Sequence, residues 1–223
     1  MTMLNADFSR RVMLDTEALP WQASPQPGVE RRMLDRIGGE VARATSLVRY
    51  AAGSAFPAHD HAMGEEFLVL DGVFSDEHGD YPAGTYVRNP PGSRHTPRTA
   101  PGCTILVKLR QMTPDEVIRT VIDTAAAAWR AGETAGHSIS PLHDDKRTGE
   151  RVTLERLEAG ASLPSSVQPG GEEIFILDGD VADAEGAYTA GAWIRNPPGH
   201  RAGLRSKSGA SFWVKRGHLA QSL

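Results

Sequence analysis

Three histidines and one glutamate stand at spacings that could bring them to a single point. His59 and His61 are two residues apart, and Glu65 lies six residues after His59. In an extended strand, residues an even number of positions apart point to the same face, so these three side chains can converge. His95 follows a Pro-Pro-Gly turn and is expected to reach the same face from a neighbouring strand. The sequence therefore predicts that His59, His61, Glu65 and His95 bind one divalent transition-metal ion.

The predicted donor set leaves the identity of the metal open. Three imidazoles and one carboxylate suit zinc, iron, manganese or nickel, with zinc and iron as the leading expectations. A tetrahedral zinc ion would be saturated by these four side chains. A six-coordinate iron, manganese or nickel ion would keep open positions for a substrate or for oxygen. The residues alone favour neither case.

The chain contains two copies of one sequence unit. When the sequence is shifted by 107 positions, residues 53–109 align with residues 160–216 without a gap, and 23 of the 57 pairs are identical. Further matches lie upstream at a shift of 108, among them Arg11 with Arg119. Since each copy takes about half of the chain, we predict a metal-binding domain at residues 1–111 and a degenerate, metal-free domain at residues 112–223.

The apolar runs within each copy are short and are bounded by turn residues such as Asp-Gly, Pro-Ala-Gly and Pro-Pro-Gly. This pattern predicts an all-β protein with two tandem jelly-roll barrels, each with a pocket between its sheets. Residues 113–129 show helical spacing when they are taken alone. Their counterpart at residues 11–15 is a short β-like run, however, so we predict a turn at residues 113–116 followed by a strand.

Three of the four candidate ligands are missing from the second copy. At the shift of 107, the histidine positions hold Ser166, Gln168 and Ala202, and only the glutamate is kept, as Glu172. A carboxylate with one hydroxyl and one amide is a poor donor set for these metals, so the second copy is predicted to hold none. His137, in the connecting segment, is predicted to be exposed and to bind no ligand.

Composition and charge exclude several classes of partner. The net charge of -4 argues against nucleic acid. The single cysteine, Cys103, allows no intramolecular disulfide and no cysteine-based zinc cluster, and a reducing compartment is the simplest setting. Residues 1–20 lack the apolar stretch of a signal peptide, and no later run is long enough to span a membrane. We expect a cytoplasmic protein with a small-molecule ligand and no membrane partner, and we allow for a homodimer.

The spacing of the candidate ligands resembles the two motifs of the cupin superfamily. Gly-x5-His-x-His-x3-Glu-x6-Gly extends over residues 53–72, and Gly-x5-Pro-x-Gly-x2-His extends over residues 84–95. Residues 64–76 and 81–95 are most similar to the ChrR-type cupins, and the resemblance covers both halves of the chain. It implies two tandem cupin barrels, with His59, His61, Glu65 and His95 as the metal ligands. Thr99 stands where the second motif usually ends in asparagine.

The resemblance implies two functions. The first is a metal-dependent dioxygenase that acts on a small oxygenated molecule such as a β-diketone, with catalytic residues beyond the ligands unknown. The alternative is a non-catalytic, zinc-bound ligand-sensing module linked to anti-sigma-type transcriptional regulation. The sequence contains no nucleophile elbow, phosphate-binding glycine loop or Cys-x-x-Cys motif that would suggest another enzyme class. Tyr86 and Met63 are further candidates for the pocket wall.

Overall fold

A computed structural model describes residues 2–220, and within them the regular elements are all β-strands. The strands that precede residue 112 are β1 (Thr2–Leu4), β2 (Val12–Asp15), β3 (Gln22–Ala23), β4 (Val29–Gly38), β5 (Ala42–Tyr50), β6 (His59–His61), β7 (Glu65–Asp76), β8 (Gly79–Pro82), β9 (Thr85–Asn89), β10 (Ser93–His95) and β11 (Cys103–Leu109). The later strands are β12 (Thr120–Asp123), β13 (Arg130–Ala131), β14 (His137–Asp144), β15 (Arg151–Leu157), β16 (Ser166–Val167), β17 (Glu172–Ala182), β18 (Ala187–Thr189), β19 (Ala192–Asn196), β20 (Arg201–Ala202) and β21 (Ala210–Arg216).

The strands form two barrels of the same design, which confirms the predicted all-β fold with two tandem jelly-roll barrels. In the first barrel a large sheet has the order β1-β4-β5-β11-β7-β9-β12, and β6 and β10 form a separate antiparallel pair. In the second barrel the corresponding order is β13-β14-β15-β21-β17-β19-β2, and β16 pairs with β20. The short second sheet closes one side of each barrel, so the pocket lies between the two sheets.

Each barrel includes one edge strand from the other sequence copy. β2 comes from the first copy and pairs with β19, while β12 comes from the second copy and pairs with β9. The two compact units are accordingly Met1–Ala6 with Leu19–Ala127, and Asp7–Ala18 with Ala128–Leu223. The expected boundary between residues 111 and 112 concerns the sequence copies and stays a prediction.

Alternation along the strands builds the core of the first barrel. Phe67 and Val69 are on the same face of β7 as Glu65, and both are almost fully buried. The ring of Phe74 packs against that of Phe67 at 4.7 Å and against that of Tyr50 at 5.8 Å. Apolar burial of this kind contributes about 1.5–3 kcal/mol for each large side chain, which makes this cluster the main support of the site.

A glycine permits the bend in the long strand β7. Gly72 has a φ of 72°, and a Cβ atom there would lie 2.0 Å from the carbonyl oxygen of Gly102. The pairing of β7 with β11 shifts register at this level, between Thr104 and Ile105. Only glycine fits such an approach, so the bend carries Asp76, at the end of β7, back toward the pair β6–β10.

The segment after β11 has the structure that the repeat predicted. The amide of Glu116 donates to the carbonyl of Thr113 at 3.1 Å in a turn, and strand β12 follows. The helical spacing of this segment is therefore misleading: Val117 and Ile118 are exposed and precede the strand, and only Val121 and Ile122 lie within β12. Within residues 2–220 the structure has no helix that could cross a membrane.

Candidate metal centre

Three strands bring the four predicted ligands together. β6 and β10 pair antiparallel with His59 opposite His95, and Glu65 begins β7 four residues after His61, where β6 ends. Gly64 has a φ of 74°, a conformation that suits glycine and that turns the chain so that the glutamate faces the histidines. The three imidazole rings lie 4.7–5.0 Å apart, centre to centre. One ligand atom from each of the four side chains lies within 4.8 Å of the others.

The donor atoms of this cluster fit a metal ion. The Nε2 atoms of His61 and His95 are buried and have no hydrogen-bond partner within the described residues. Each lies 3.4 Å from Oε2 of Glu65. Buried polar nitrogens without partners are costly, so their convergence on a carboxylate indicates a ligand site rather than packing. Donors around one ion are separated by up to about 4.2 Å, twice the usual metal–nitrogen distance, so a small contraction completes the shell.

Contacts behind the ligands fix their orientation. Nδ1 of His59 lies 2.9 Å from the carbonyl oxygen of Pro57, and Nδ1 of His95 lies 3.3 Å from Oδ2 of Asp76. An Nδ1–H group that donates in this way leaves Nε2 with a free lone pair for a metal. The amide of Asn89 donates to Oε2 of Glu65 at 3.0 Å, which holds the carboxylate in place.

Asp76 and Asn89 are linked in turn by an arginine from the second sequence copy. Arg119 donates from Nε to Oδ1 of Asn89 at 3.0 Å and from Nη2 to the Tyr81 hydroxyl at 2.6 Å. Tyr81 itself donates to Asp76 at 2.8 Å. Sequence reasoning missed this network. The identity of these residues in both copies was the available signal.

Electrostatics set the protonation of the cluster. Burial lowers the pKa of His61, the neighbouring imidazoles add to this, and the charge of Glu65 offsets it only in part. Burial alone would lower the pKa of His95 too, but the hydrogen bond to Asp76 and the charge of Glu65 outweigh it and raise that pKa. Burial would raise the pKa of Asp76, yet its bonds to His95 and Tyr81 lower it to about 2. Asp76 is therefore a carboxylate at neutral pH.

The cluster borders a cavity of about 520 Å³ in the first barrel. Its wall is mainly apolar and includes Val48, Phe56, Ile105 and Val107. Tyr50 also lines the cavity and is buried. Burial, with a smaller contribution from Glu65, raises the pKa of Tyr50, so the group is a neutral phenol able to donate a hydrogen bond. Cavities of this size and character commonly hold small molecules.

The two residues suggested for the pocket wall lie elsewhere. Tyr86 is fully buried, but its hydroxyl donates to Glu66 at 2.6 Å, on the face of the sheet opposite Glu65. Met63 is exposed on the surface and contacts Arg110. Neither residue lines the cavity: the sequence did not fix which face of the sheet Tyr86 takes, and Met63 lies in the turn between β6 and β7.

In the second barrel an arginine pairs with the one candidate ligand that was kept. Arg216 donates from Nε to Glu172 at 3.1 Å, and its terminal nitrogens contact Glu155. Ser166 lies opposite Ala202, and Gln168 donates to Ser166 at 3.1 Å. A guanidinium thus neutralises the one ligand that was kept.

The prediction that His137 is exposed is wrong. Its side chain is buried, and its Nε2 lies 3.1 Å from Oε2 of Glu155. His137 therefore belongs to the ion-pair network of the second barrel. Its position at the start of β14, where alternation turns it inward, explains the burial.

Solved structures show the same fold in distant proteins. A protein from Nostoc punctiforme, named as a candidate dioxygenase, shares 16% identity over 96% of this chain and 85% of its own, with a TM-score of 0.76. Protein Ylba of E. coli shares 14% identity over 97% and 94%, with a TM-score of 0.72. Bacillus subtilis oxalate decarboxylase shares 13% over 94% and 78%, with a TM-score of 0.61. At these identities the similarity establishes the fold alone.

Sequence comparison identifies the family. No curated protein matches the chain significantly. A family model for the ChrR cupin-like domain matches twice, at residues 9–113 and residues 117–220. The two matches coincide with the two sequence copies and cover almost the whole chain. The protein is thus a member of the ChrR cupin-like family with two tandem cupin domains.

Proposed function

We propose that the first barrel is a metal-dependent dioxygenase for a small oxygenated molecule of the β-diketone type. The observation that carries the proposal is the buried cluster of three histidines and one glutamate, which opens on an apolar cavity. An iron ion held by His59, His61, Glu65 and His95 would supply redox chemistry and open coordination positions. Within residues 2–220 the first barrel offers no other cluster of this kind.

The protein's own residues have separate tasks in this scheme. Asp76 and Asn89 hold a histidine and the glutamate in place from behind. The apolar wall, with Phe56 and Val107, excludes water from the reacting molecule. The Tyr50 phenol, on the wall of the same cavity, would donate a hydrogen bond to an oxygen of the ligand. The proposal is supported by two structural neighbours, the candidate dioxygenase of Nostoc punctiforme and the oxalate decarboxylase of Bacillus subtilis.

The test is oxygen uptake by iron-loaded protein over a panel of β-diketones. A dioxygenase that splits the bond between a carbonyl carbon and the central carbon inserts both oxygen atoms. One O₂ is then consumed for each diketone, and a carboxylic acid and a 1,2-dicarbonyl are formed. We expect turnover in the wild type, none in His59→Ala, and full turnover in Ser166→Ala, the matched position in the metal-free copy. Uptake no faster than that of His59→Ala across the panel would refute the proposal.

The family match favours a second candidate, a zinc-bound ligand sensor linked to anti-sigma-type regulation. Metal analysis of protein purified without added metal separates the two. One zinc per chain, with no oxygen uptake after iron loading, would favour the sensor. One iron per chain would favour the enzyme. A ratio near two metals per chain would contradict the metal-free second barrel.

A further inference from the structure

Arg110 adopts a backbone conformation that arginine rarely takes. It follows β11 directly and has a φ of 58°. Its counterpart in the second copy is Gly217, with a φ of 84°. The two positions are structurally equivalent, because the amide of Arg110 donates to the carbonyl of Gly64 and that of Gly217 to the carbonyl of Gly171, both at 3.0 Å. The turn therefore needs a left-handed residue, and glycine meets that need without strain.

The strain at Arg110 indicates a task for its side chain. A left-handed conformation in a residue with a Cβ lowers stability, and such strain is found where function requires it. The metal-free copy, which uses Gly217, shows that the barrel closes without a side chain here. Within residues 2–220 the Arg110 guanidinium donates a hydrogen bond to the sulfur of Met63 at 3.4 Å, a weak acceptor.

Arg110 is one of the residues that line the cavity beside His59 and His61. The other charged groups of this wall are already paired. Arg31 contacts Glu40 at 3.2 Å, and Asp60 contacts Arg94 at 3.0 Å. Arg110 has no carboxylate partner within the described residues. The positive charge of Arg110 is therefore available to an anionic ligand that enters the cavity.

We propose that Arg110 binds a carboxylate of the ligand that occupies this cavity. The ligand class is a small carboxylic acid whose other end carries the oxygens that face the histidines, with an apolar segment between the two ends. The guanidinium matches a carboxylate with two parallel hydrogen bonds, and the apolar wall accommodates the segment. This inference rests on the proposed function for the identity of the oxygen-bearing end, a β-diketone.

The test compares an acid with its uncharged analogues. Zinc-loaded protein without oxygen is titrated calorimetrically with 4,6-dioxoheptanoate, with its methyl ester and with heptane-2,4-dione. We expect wild type to bind the acid about 10- to 100-fold more tightly than the ester, the range for a hydrogen-bonded charge pair. Arg110→Gln and Arg110→Gly should lose this preference and keep their affinity for the uncharged compounds. Arg110→Lys should retain part of it.

Controls separate recognition from structure. Arg31→Gln removes the cavity arginine that is already paired and should leave the preference for the acid intact. Arg110→Gly copies the second barrel and should melt at the same temperature as wild type or higher. Equal binding of acid and ester by wild type, binding of neither, or a melting temperature several degrees lower in Arg110→Gly would each overturn the proposal.

The two proposals can fail independently. Because zinc does not turn over, acid binding that depends on Arg110 supports this inference even if the iron-loaded protein consumes no oxygen. Conversely, oxygen uptake with heptane-2,4-dione in a protein that does not prefer the acid would leave the dioxygenase standing and refute the role of Arg110.

Discussion

Three of the four candidate ligands are held by a hydrogen bond to a group outside the cluster. His59 is oriented by a backbone carbonyl, His95 by Asp76, and Glu65 by Asn89. These supports exist in both barrels, since Asp183 and Asn196 occupy the matching positions of the second copy. Two kinds of residue can therefore be distinguished at this site. The histidines are specific to the metal centre, whereas the groups behind them are part of the shared fold.

We predict that Asp76→Asn weakens metal binding about 10- to 100-fold, the usual effect of losing a carboxylate behind a histidine ligand. The low pKa of Asp76, about 2, makes it an anion at neutral pH, so the amide removes a charge from the Nδ1–H of His95. Competition with a chelator of known affinity measures the change. Asp183→Asn is the matched control and should bind metal as wild type does. Equal affinities of the two variants would contradict the prediction.

At the scale of elements, β15 and β21 line the pocket of the second barrel with charged residues that the first barrel lacks. Glu155 on β15 and Arg216 on β21 form an ion pair. The matching positions of the first barrel hold Val48 and Leu109. Burial alone would lower the pKa of Arg216, but the charges of Glu155 and Glu172 raise it. β15 and β21 therefore carry a buried ion pair in the second barrel. Their counterparts in the first barrel, β5 and β11, carry apolar residues beside the candidate metal site.

We predict that Glu155 makes the stability of the protein depend on acid. Burial would raise its pKa, but Arg216 and the bond to His137 lower it from 4.5 to about 2. Its contribution to the free energy of unfolding, about 3 kcal/mol, is complete above pH 4.5 and is lost as the pH falls toward 2. Urea unfolding of metal-free protein should therefore show a gap between wild type and Glu155→Gln that shrinks from pH 6 to pH 3.

The control for this prediction is Glu158→Gln, at an exposed residue of the same unit. Its difference from wild type should be small at both pH values. A gap for Glu155→Gln that stays constant between pH 6 and pH 3 would show that the carboxylate does not titrate as expected.

At the scale of the whole molecule, the two sequence copies exchange their edge strands and the arginines beside them. Arg119 belongs to the second copy but contacts Tyr81 and Asn89 in the metal-binding unit. Arg11 belongs to the first copy but contacts Asn196 at 2.7 Å in the metal-free unit. Neither copy alone holds all the groups that its site uses.

We predict that Arg119→Ala lowers the metal affinity of the first barrel by about tenfold, because it removes a group that holds Asn89 and Tyr81. Arg11→Ala should leave metal affinity unchanged, although it lies in the sequence copy that carries the ligands. Chelator competition on the two full-length variants measures both effects. The opposite result would mean that the strands are not exchanged.

The sequence by itself determined the duplication and the class of fold, and it predicted the four candidate ligands that the structure brings together. The ligands could be predicted because strand parity relates His59, His61 and Glu65 locally, and the motif spacing brought in His95. The internal repeat overruled the helical spacing after residue 112. It also showed which candidate ligands the second copy lacks, because the alignment of the two copies requires only the sequence.

Only the tertiary structure decided the surroundings of the site. Asp76, Asn89 and Arg119 meet through bends and pairings between distant parts of the chain, and no local pattern encodes them. The strand exchange is equally hidden, because β2 and β12 have the same alternation and fit either barrel as edge strands. The paired ion bridges of Arg216 likewise depend on Glu155 and Glu172 approaching one guanidinium. Local periodicity sets which face a side chain takes, whereas long-range packing selects its partner.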